Sequence, residues 1–250
     1  MAEERYFAID PGSLAGGRAV LRGDEFHHLA RVVRARPGGE VTLLDGEGGV
    51  YSAVVEEIGE NEAVLGIMSG SRTDPPPAVD IAVAALKAPR LDLAIEKCAE
   101  IGVGKLIVFS SRRSVWRAGG SGAARRAKRL ERKVLAACKQ SGQPFFPSVE
   151  TVAEFSSVLS LIPQYGAVYL ADHKGTGIFH CRIPSPGEAV LGIVGPEGGL
   201  DDCERAELLK AGAVPVSLGS ARLRSETAAM CLLFSLRSIR EPVIDTDRAR

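Results

Sequence analysis

Hydrophobic and polar positions fall into two regimes along this chain. Up to about residue 72, apolar residues come in short alternating runs separated by glycine turns, the period-two pattern of half-buried strands. Residues 18–22 read as a strand after the Gly16-Gly17 turn, 41–44 as a second and 50–58 as a third, with 45–49 as a hairpin connection. Residues 63–68 add one more strand. Asp24 is placed to cap a helix over 25–34 that carries Phe26, Leu29, Val32 and Val33 on one side and ends at Pro37-Gly38-Gly39. Short strands with glycine turns predict a small barrel over 1–72.

Residues 73–78 contain Pro75-Pro76-Pro77, which favours stiff extended backbone and predicts a linker. Beyond it, over 79–250, strands and helices alternate. Residues 80–86, 105–110, 167–172, 189–194 and 214–218 read as strands. Leu91, Ile95, Cys98 and Ile101 follow helical spacing up to a stop at Gly102. A long helix over 127–140 carries Arg129, Arg132 and Lys133 on its basic side. Asp201 with Glu204 forms a capping-box signal for a helix ending at Gly212. Ser225 can cap a last helix bearing Met230, Leu233, Phe234 and Leu236. Gly175-Thr176-Gly177 reads as a loop, together with His173 and His180. Alternation of this kind predicts an α/β domain with a mainly parallel sheet covered on both faces.

Composition narrows the class. Hydrophobic content of 45% and charged content of 25% are ordinary for a soluble globular protein, and no apolar run reaches membrane-spanning length. The first residues lack an apolar core behind a basic start, so no signal peptide is expected. Five widely separated cysteines, odd in number, fit buried free thiols in a reducing cytoplasm. Neither CxxC nor HExxH occurs, so no metal is expected. Net charge is zero, but residues 105–143 hold eleven Lys or Arg against the single acid Glu131. Such density requires solvent or a polyanion such as a nucleic-acid backbone.

Candidate chemistry concentrates near the carboxyl end. The buried run before Val194 leads directly into Gly195-Pro196-Glu197-Gly198-Gly199, and one strand-helix unit later comes Leu218-Gly219-Ser220. Glycine turns at strand ends let backbone approach a ligand closely, and open α/β sheets bind ligands at their carboxyl edges. Backbone groups of both turns could read an adenine edge, with Leu170, Leu218 and Leu223 as apolar walls. Neither a dinucleotide fingerprint nor a phosphate-binding loop is present: the first strand of this region leads into Lys87-Ala88-Pro89-Arg90. No Ser–His–Asp or Cys–His set stands out. The polar residues nearest the turns are Glu197, Arg224, Glu226 and Thr227. A pocket with one Arg and no nucleophile suits transfer of a group from a bound activated donor, where positioning supplies much of the acceleration.

The segments Gly195-Pro-Glu-Gly-Gly199, Leu218-Gly219 and Leu223-Arg224-Ser225-Glu226-Thr227-Ala228 resemble the signature of the RsmE family. Arg5-Tyr6-Phe7, His27-His28-Leu29, Lys97 to Gly102 and Gln140-Ser141-Gly142 fit its earlier motifs in the same order, so the resemblance spans essentially the whole chain. Where members often carry Glu-Gln-Ser-Gly-Arg, this chain has Lys139-Gln140-Ser141-Gly142-Gln143, and its Gly/Ala-rich insert before Arg125 is longer. The resemblance implies methylation of N3 of a uridine in the 16S rRNA of the small ribosomal subunit, with S-adenosylmethionine as donor. It implies a PUA-like barrel followed by a SPOUT-type parallel sheet with a C-terminal trefoil knot, a cytoplasmic homodimer, and no membrane or metal partner. Cofactor contacts would come from Leu170, Val194, Gly195, Pro196, Glu197, Gly198, Leu218, Gly219, Ser220, Leu223, Arg224 and Thr227. Arg224 and Glu197 are the catalytic candidates. RNA would meet Arg5, His28, Arg31, Arg34, Lys87, Arg112, Arg129 and Arg132. A related methyltransferase acting on ribose hydroxyls or tRNA, and a non-catalytic RNA-binding factor, are the alternatives.

Overall fold

The computed structural model describes residues 5–114, 122–152, 154–182, 184 and 187–240. Trp116 and most of the Gly/Ser/Ala-rich stretch that follows it lie outside these residues. The chain forms two compact units, one of residues 1–75 with 135–146 and one of residues 76–134 with 147–250.

The first unit is a five-stranded sheet built from β1 (Tyr6–Ala8), β2 (Arg18–Arg22), β3 (Glu40–Leu44), β4 (Gly49–Ile58) and β5 (Glu62–Arg72), in the order β1-β3-β4-β5-β2. β1 joins β3 in parallel, and the remaining neighbours are antiparallel. Alternation works as expected in β2, where Ala19 and Leu21 are buried and Arg18 and Arg22 are exposed. Phe7, Leu21, Leu29, Leu43 and Leu65 fill the core. The hairpin after β3 is held by Asp45, which is buried and accepts from the N–H groups of Glu47 and Gly49 and from Arg72 at 2.7–2.8 Å.

The helix expected over 25–34 differs in detail. Helix α1 (Gly23–His27) starts one residue before Asp24, with Arg22 at the cap position, and passes into a wider π-helical turn at His28–Val33. Widening the turn breaks the 3.6-residue register, so Leu29 is buried but Val32 is 61% exposed. Arg34, in the left-handed conformation at φ 53°, ends the segment ahead of Pro37. Residues 135–146 also belong to this unit: Lys139 Nζ sits 2.6 Å from Glu25 Oε1, and the rings of Phe145 and Phe146 cover Gly48 and Gly46. A Cβ at Gly46 would come within 2.5 Å of the Phe146 ring, at a φ of 76° that already favours glycine.

The second unit contains β6 (Val79–Ala84), α2 (Ala88–Ile101), β7 (Lys105–Phe109), the N-terminal part of α3 (Ala123–Ser141), β8 (Ser148–Val152) and α4 (Phe155–Leu161). It continues with β9 (Ala167–Gly177), β10 (Val190–Val194), α5 (Asp202–Lys210), β11 (Val214–Ser217) and α6 (Ser225–Arg240). The strands form one sheet in the order β11-β9-β10-β6-β7-β8, parallel at every pairing. Continuous apolar runs mark its central strands, as burial on both faces requires: Val190, Leu191, Gly192, Ile193 and Val194 are all buried. β8 was not expected, because as an edge strand it is half-polar and carries no clean alternation.

Helix α6 packs on the sheet and on α2 through Ala229, Leu232, Leu233 and Leu236. Gly192 makes room for it, since a Cβ there would meet Leu232 at 2.8 Å and Ile81 at 2.7 Å. The far end of α6 is pinned by two guanidinium groups: Arg237 donates to the Gly102 carbonyl, and Arg240 to those of Ala78 and Glu188. Phe234, on the same helix, is 62% exposed in the single chain. Of the five cysteines, Cys98 and Cys138 are buried, but Cys203 is exposed, against the expectation that all are interior. No helix among the described residues is long and apolar enough to cross a membrane.

Candidate functional site

A cleft of the second unit opens where β9, β10 and β11 end, with a volume of about 620 Å³, inside the range of small-molecule sites. Its floor is built by register. β10 stops opposite the first part of β9, at Ile193 against Leu170, whereas β9 runs on to pair again with β11 at Val216 against Thr176. Pairing slips between Pro215 and Val216, so residues 171–175 of β9 are left without a β11 partner, and 171–174 of them form one side wall. Gly175-Thr176-Gly177 therefore ends a strand and is not the loop expected from sequence. Gly175 has to be glycine here, because a Cβ would lie 2.5 Å from the backbone of Pro215.

Both glycine turns face this cleft. Val194, Gly195, Pro196, Glu197 and Gly198 line it from the end of β10, Leu218 and Gly219 from the end of β11, and Leu223 and Arg224 from the approach to α6. Leu170 supplies the apolar floor. Ten of the twelve sequence-derived cofactor residues thus line one cleft. Ser220 and Thr227 do not: Ser220 is exposed beside it, and Thr227 sits half-buried on α6. After the turn that follows β10, α5 starts on the predicted capping box, in which Asp201 accepts from the Glu204 N–H at 2.7 Å while Glu204 accepts from the Asp201 N–H at 3.1 Å.

Several residues of the site carried no recognisable motif. Arg113 donates to the carbonyls of Gly198 at 3.1 Å and Leu200 at 3.5 Å. Arg90, in the first turn of α2, approaches Glu197 at 3.3 Å and Glu226 at 3.8 Å. Arg205 meets Asp172 at 2.8 Å. Burial pushes the Asp172 carboxyl up, but the Lys174 N–H, the Arg205 guanidinium and His173 together outweigh it and hold the group below the usual carboxylate range. Only the basic density of residues 105–143 hinted at Arg113; nothing in sequence pointed to Arg90, Asp172 or Arg205.

The RNA candidates divide by environment. In the first unit Arg5, Arg31 and Arg34 are exposed, whereas His28 is half-buried and tilted against Phe7 at 5.4 Å, a packing contact. In the second unit Lys87 and Arg132 are exposed. Arg129 is held by Asp92 at 2.6 Å. Arg112 is engaged by the capping box, its guanidinium 2.9 Å from Asp201 and its N–H donating to Glu204 at 2.7 Å. Among the described residues no group of three or more His, Cys, Asp or Glu could hold a metal ion.

A parallel sheet whose strand ends carry two glycine turns around one cleft, with arginines at its rim, belongs to a class defined by its family model. Residues 73–237 match the RNA methyltransferase domain, and residues 21–68 match the RNA methyltransferase PUA domain. The ribosomal RNA small subunit methyltransferase E of Mycobacterium bovis is 32% identical over 233 residues, covering 91% of this chain and 88% of that protein. A crystal structure of ribosomal RNA small subunit methyltransferase E from Neisseria gonorrhoeae, bound to S-adenosylmethionine, is 26% identical, with a TM-score of 0.84 over 95% of this chain and 98% of the other. A Legionella pneumophila methyltransferase structure shares the fold, with a TM-score of 0.86 at 22% identity over 96% of this chain and 99% of that one. The chain belongs to the ribosomal RNA small subunit methyltransferase E family.

Proposed function

We propose that this protein methylates N3 of a uridine in the 16S rRNA of the small ribosomal subunit, using S-adenosylmethionine held in the cleft of the second unit. The observation that carries the reading is the convergence of both glycine turns and Arg224 on one 620 Å³ cleft in a chain of this family. The donor set fits the cofactor. Apolar Leu170, Leu218 and Leu223 can flank a purine, backbone groups of the two turns can read its edge, and Gly195 and Gly198 keep the wall free of side chains. When bound, S-adenosylmethionine supplies an electrophilic methyl group on a sulfonium.

The chain's own residues then have two tasks. Uridine N3 must lose its proton before or during attack, which places negative charge on the flanking carbonyl oxygens. Arg224, exposed on the cleft wall, is the cation that would stabilise that charge. Glu197 is the proton acceptor in this reading: it lines the cleft, whereas Glu226 is buried and does not. Exposed Arg5, Arg31 and Arg34 in residues 1–72, and Lys87 and Arg132 in residues 79–250, are the phosphate contacts, with residues 73–78 as linker between an RNA-binding barrel and a methyltransferase domain. A cytoplasmic homodimer is part of the same proposal. It is supported by the apolar residues that α6 and α2 leave outside: Phe234 at 62%, Leu93 at 41% and Ile239 at 38% exposed.

The test is methylation of small subunits from a strain lacking the gene, followed by mass-spectrometric mapping of the modified nucleotide. One new methyl group on N3 of a single 16S uridine is expected. A methyl group on a ribose hydroxyl or on tRNA, or no incorporation with intact cofactor binding, overturns the assignment.

A further inference from the structure

The start of α2 presents an electrostatic problem that its own segment does not solve. Lys87 holds the cap position with no side-chain cap, and Arg90 follows in the first turn, where the helix dipole disfavours a cation. Both are answered from elsewhere in the unit. Glu197 Oε1, on the turn after β10, lies 3.3 Å from the Lys87 N–H and 3.3 Å from Arg90 Nη1, so one carboxylate caps the helix and neutralises the arginine. Arg90 Nε lies 3.8 Å from Glu226 Oε1, on the first turn of α6.

Glu226 is the unusual member. It is 5% exposed, and its Oε2 has no hydrogen-bond partner. Burying a carboxylate is costly without a counter-charge, and Arg90 is its ion pair among the described residues. Arg90 and Glu197 line the cofactor cleft, while Glu226 lies behind it. One guanidinium therefore spans two acids, one from each of the two segments that wall the cleft.

We propose that Arg90 is a positioning residue for the cofactor cleft, anchored by buried Glu226 and holding Glu197 and the Gly195–Gly199 turn in place against the starts of α2 and α6. The planar guanidinium suits this task because its Nε and Nη1 reach two carboxylates in a fixed relation; a lysine ammonium is a point charge on a flexible stem. Glu226 acts only through Arg90, so it orders the cleft without touching the ligand. The proposal rests on the cofactor assignment above for its consequence on binding, but not for the brace itself.

The full chain is compared as wild type, R90A, R90K, E226Q and R90A/E226Q, with two measurements. The first is amide hydrogen exchange of peptides covering 195–200 and 225–230 without ligand. The second is calorimetric titration with S-adenosylmethionine. R90A and E226Q are expected to speed exchange in both peptides while exchange in β6 stays slow, and R90A to weaken cofactor binding about tenfold. R90K is expected to rescue only part of either effect. The double variant should be no worse than R90A, since two residues acting as a unit are not additive. Exchange unchanged in R90A, or effects of R90A and E226Q that simply add, overturns the proposal. Should R90A fail to fold, R90K and E226Q carry the same comparison. Absence of cofactor binding in the wild type overturns the functional assignment instead, and exchange alone then decides the brace.

Discussion

Arg113 donates a hydrogen bond to the Gly198 carbonyl at 3.1 Å, tying the loop after β7 to the glycine turn after β10. The neighbouring Arg112 engages Asp201 and Glu204 at the start of α5. Arg112, an RNA candidate by sequence, and Arg113 beside it thus make contacts within the protein, at the start of α5 and at the glycine turn. An R113A variant should bind S-adenosylmethionine about two- to tenfold more weakly, as expected for loss of an exposed charge-assisted bond. Calorimetry reads this directly, and unchanged affinity would show that the turn holds itself.

Arg224 tests the chemical step. R224A should lower kcat by about 10²–10³, the usual effect of removing one donor that stabilises developing negative charge. Cofactor affinity should change far less, because Leu170 and the two turns remain. Single-turnover methylation at saturating cofactor separates the two quantities; a variant with normal kcat would assign the charge stabilisation elsewhere.

Salt dependence tests the RNA surface. Arg132 is exposed on α3, whereas Arg129 is already paired with Asp92. R132A should reduce the slope of log affinity against log salt by about 0.7–0.9, the contribution of one phosphate contact. R129A should change that slope less and lower the melting temperature more. Equal slopes for wild type and R132A would return this face of α3 to a solvated role.

Cysteine reactivity should sort by burial. Desolvation pushes the Cys98 and Cys138 thiols up to about 12, while Cys203 is exposed. In native protein at pH 8, maleimide or iodoacetamide should label Cys203 first and leave Cys98 and Cys138 unmodified until denaturant is added. Mass spectrometry of peptides from a timed reaction checks the order.

The capping box should show its charge in the pH dependence of stability. The Glu204 N–H first, and the Arg112 guanidinium with it, hold the Asp201 carboxyl below its ordinary value. A carboxyl depressed in the folded state stabilises above its unfolded pKa of about 3.9 and loses that stabilisation as pH falls through the folded value. D201A should therefore melt below wild type at neutral pH, with the gap closing as pH falls below the ordinary carboxylate value of about 3.9. A gap that stays constant into acid would mean the cap acts without its charge.

The glycine-turn residues that line the cleft were legible because their reason is local. Glycines at strand ends, the Asp201–Glu204 spacing and the apolar run ending at Val194 each follow from backbone geometry within a few residues. The same holds for the parallel sheet, whose central strands must be apolar on both faces. What stayed hidden depends on register and on contacts between distant segments. Phe234 and Val32 fit an apolar stripe by spacing, but which side of a helix meets the core is set by its neighbours, and both turned outward. The extension of β9 through Gly177 exists only because β11 pairs with it past a slipped register. Arg90 is separated by 107 residues from Glu197, and Arg113 by 85 from Gly198. By itself the sequence determined most of the strands and helices and the two glycine turns that line the cleft, since those follow from short-range periodicity and backbone sterics. Only the tertiary structure decided which charges stand together at the cleft, because a salt bridge depends on the folded path that brings remote turns within a few ångströms.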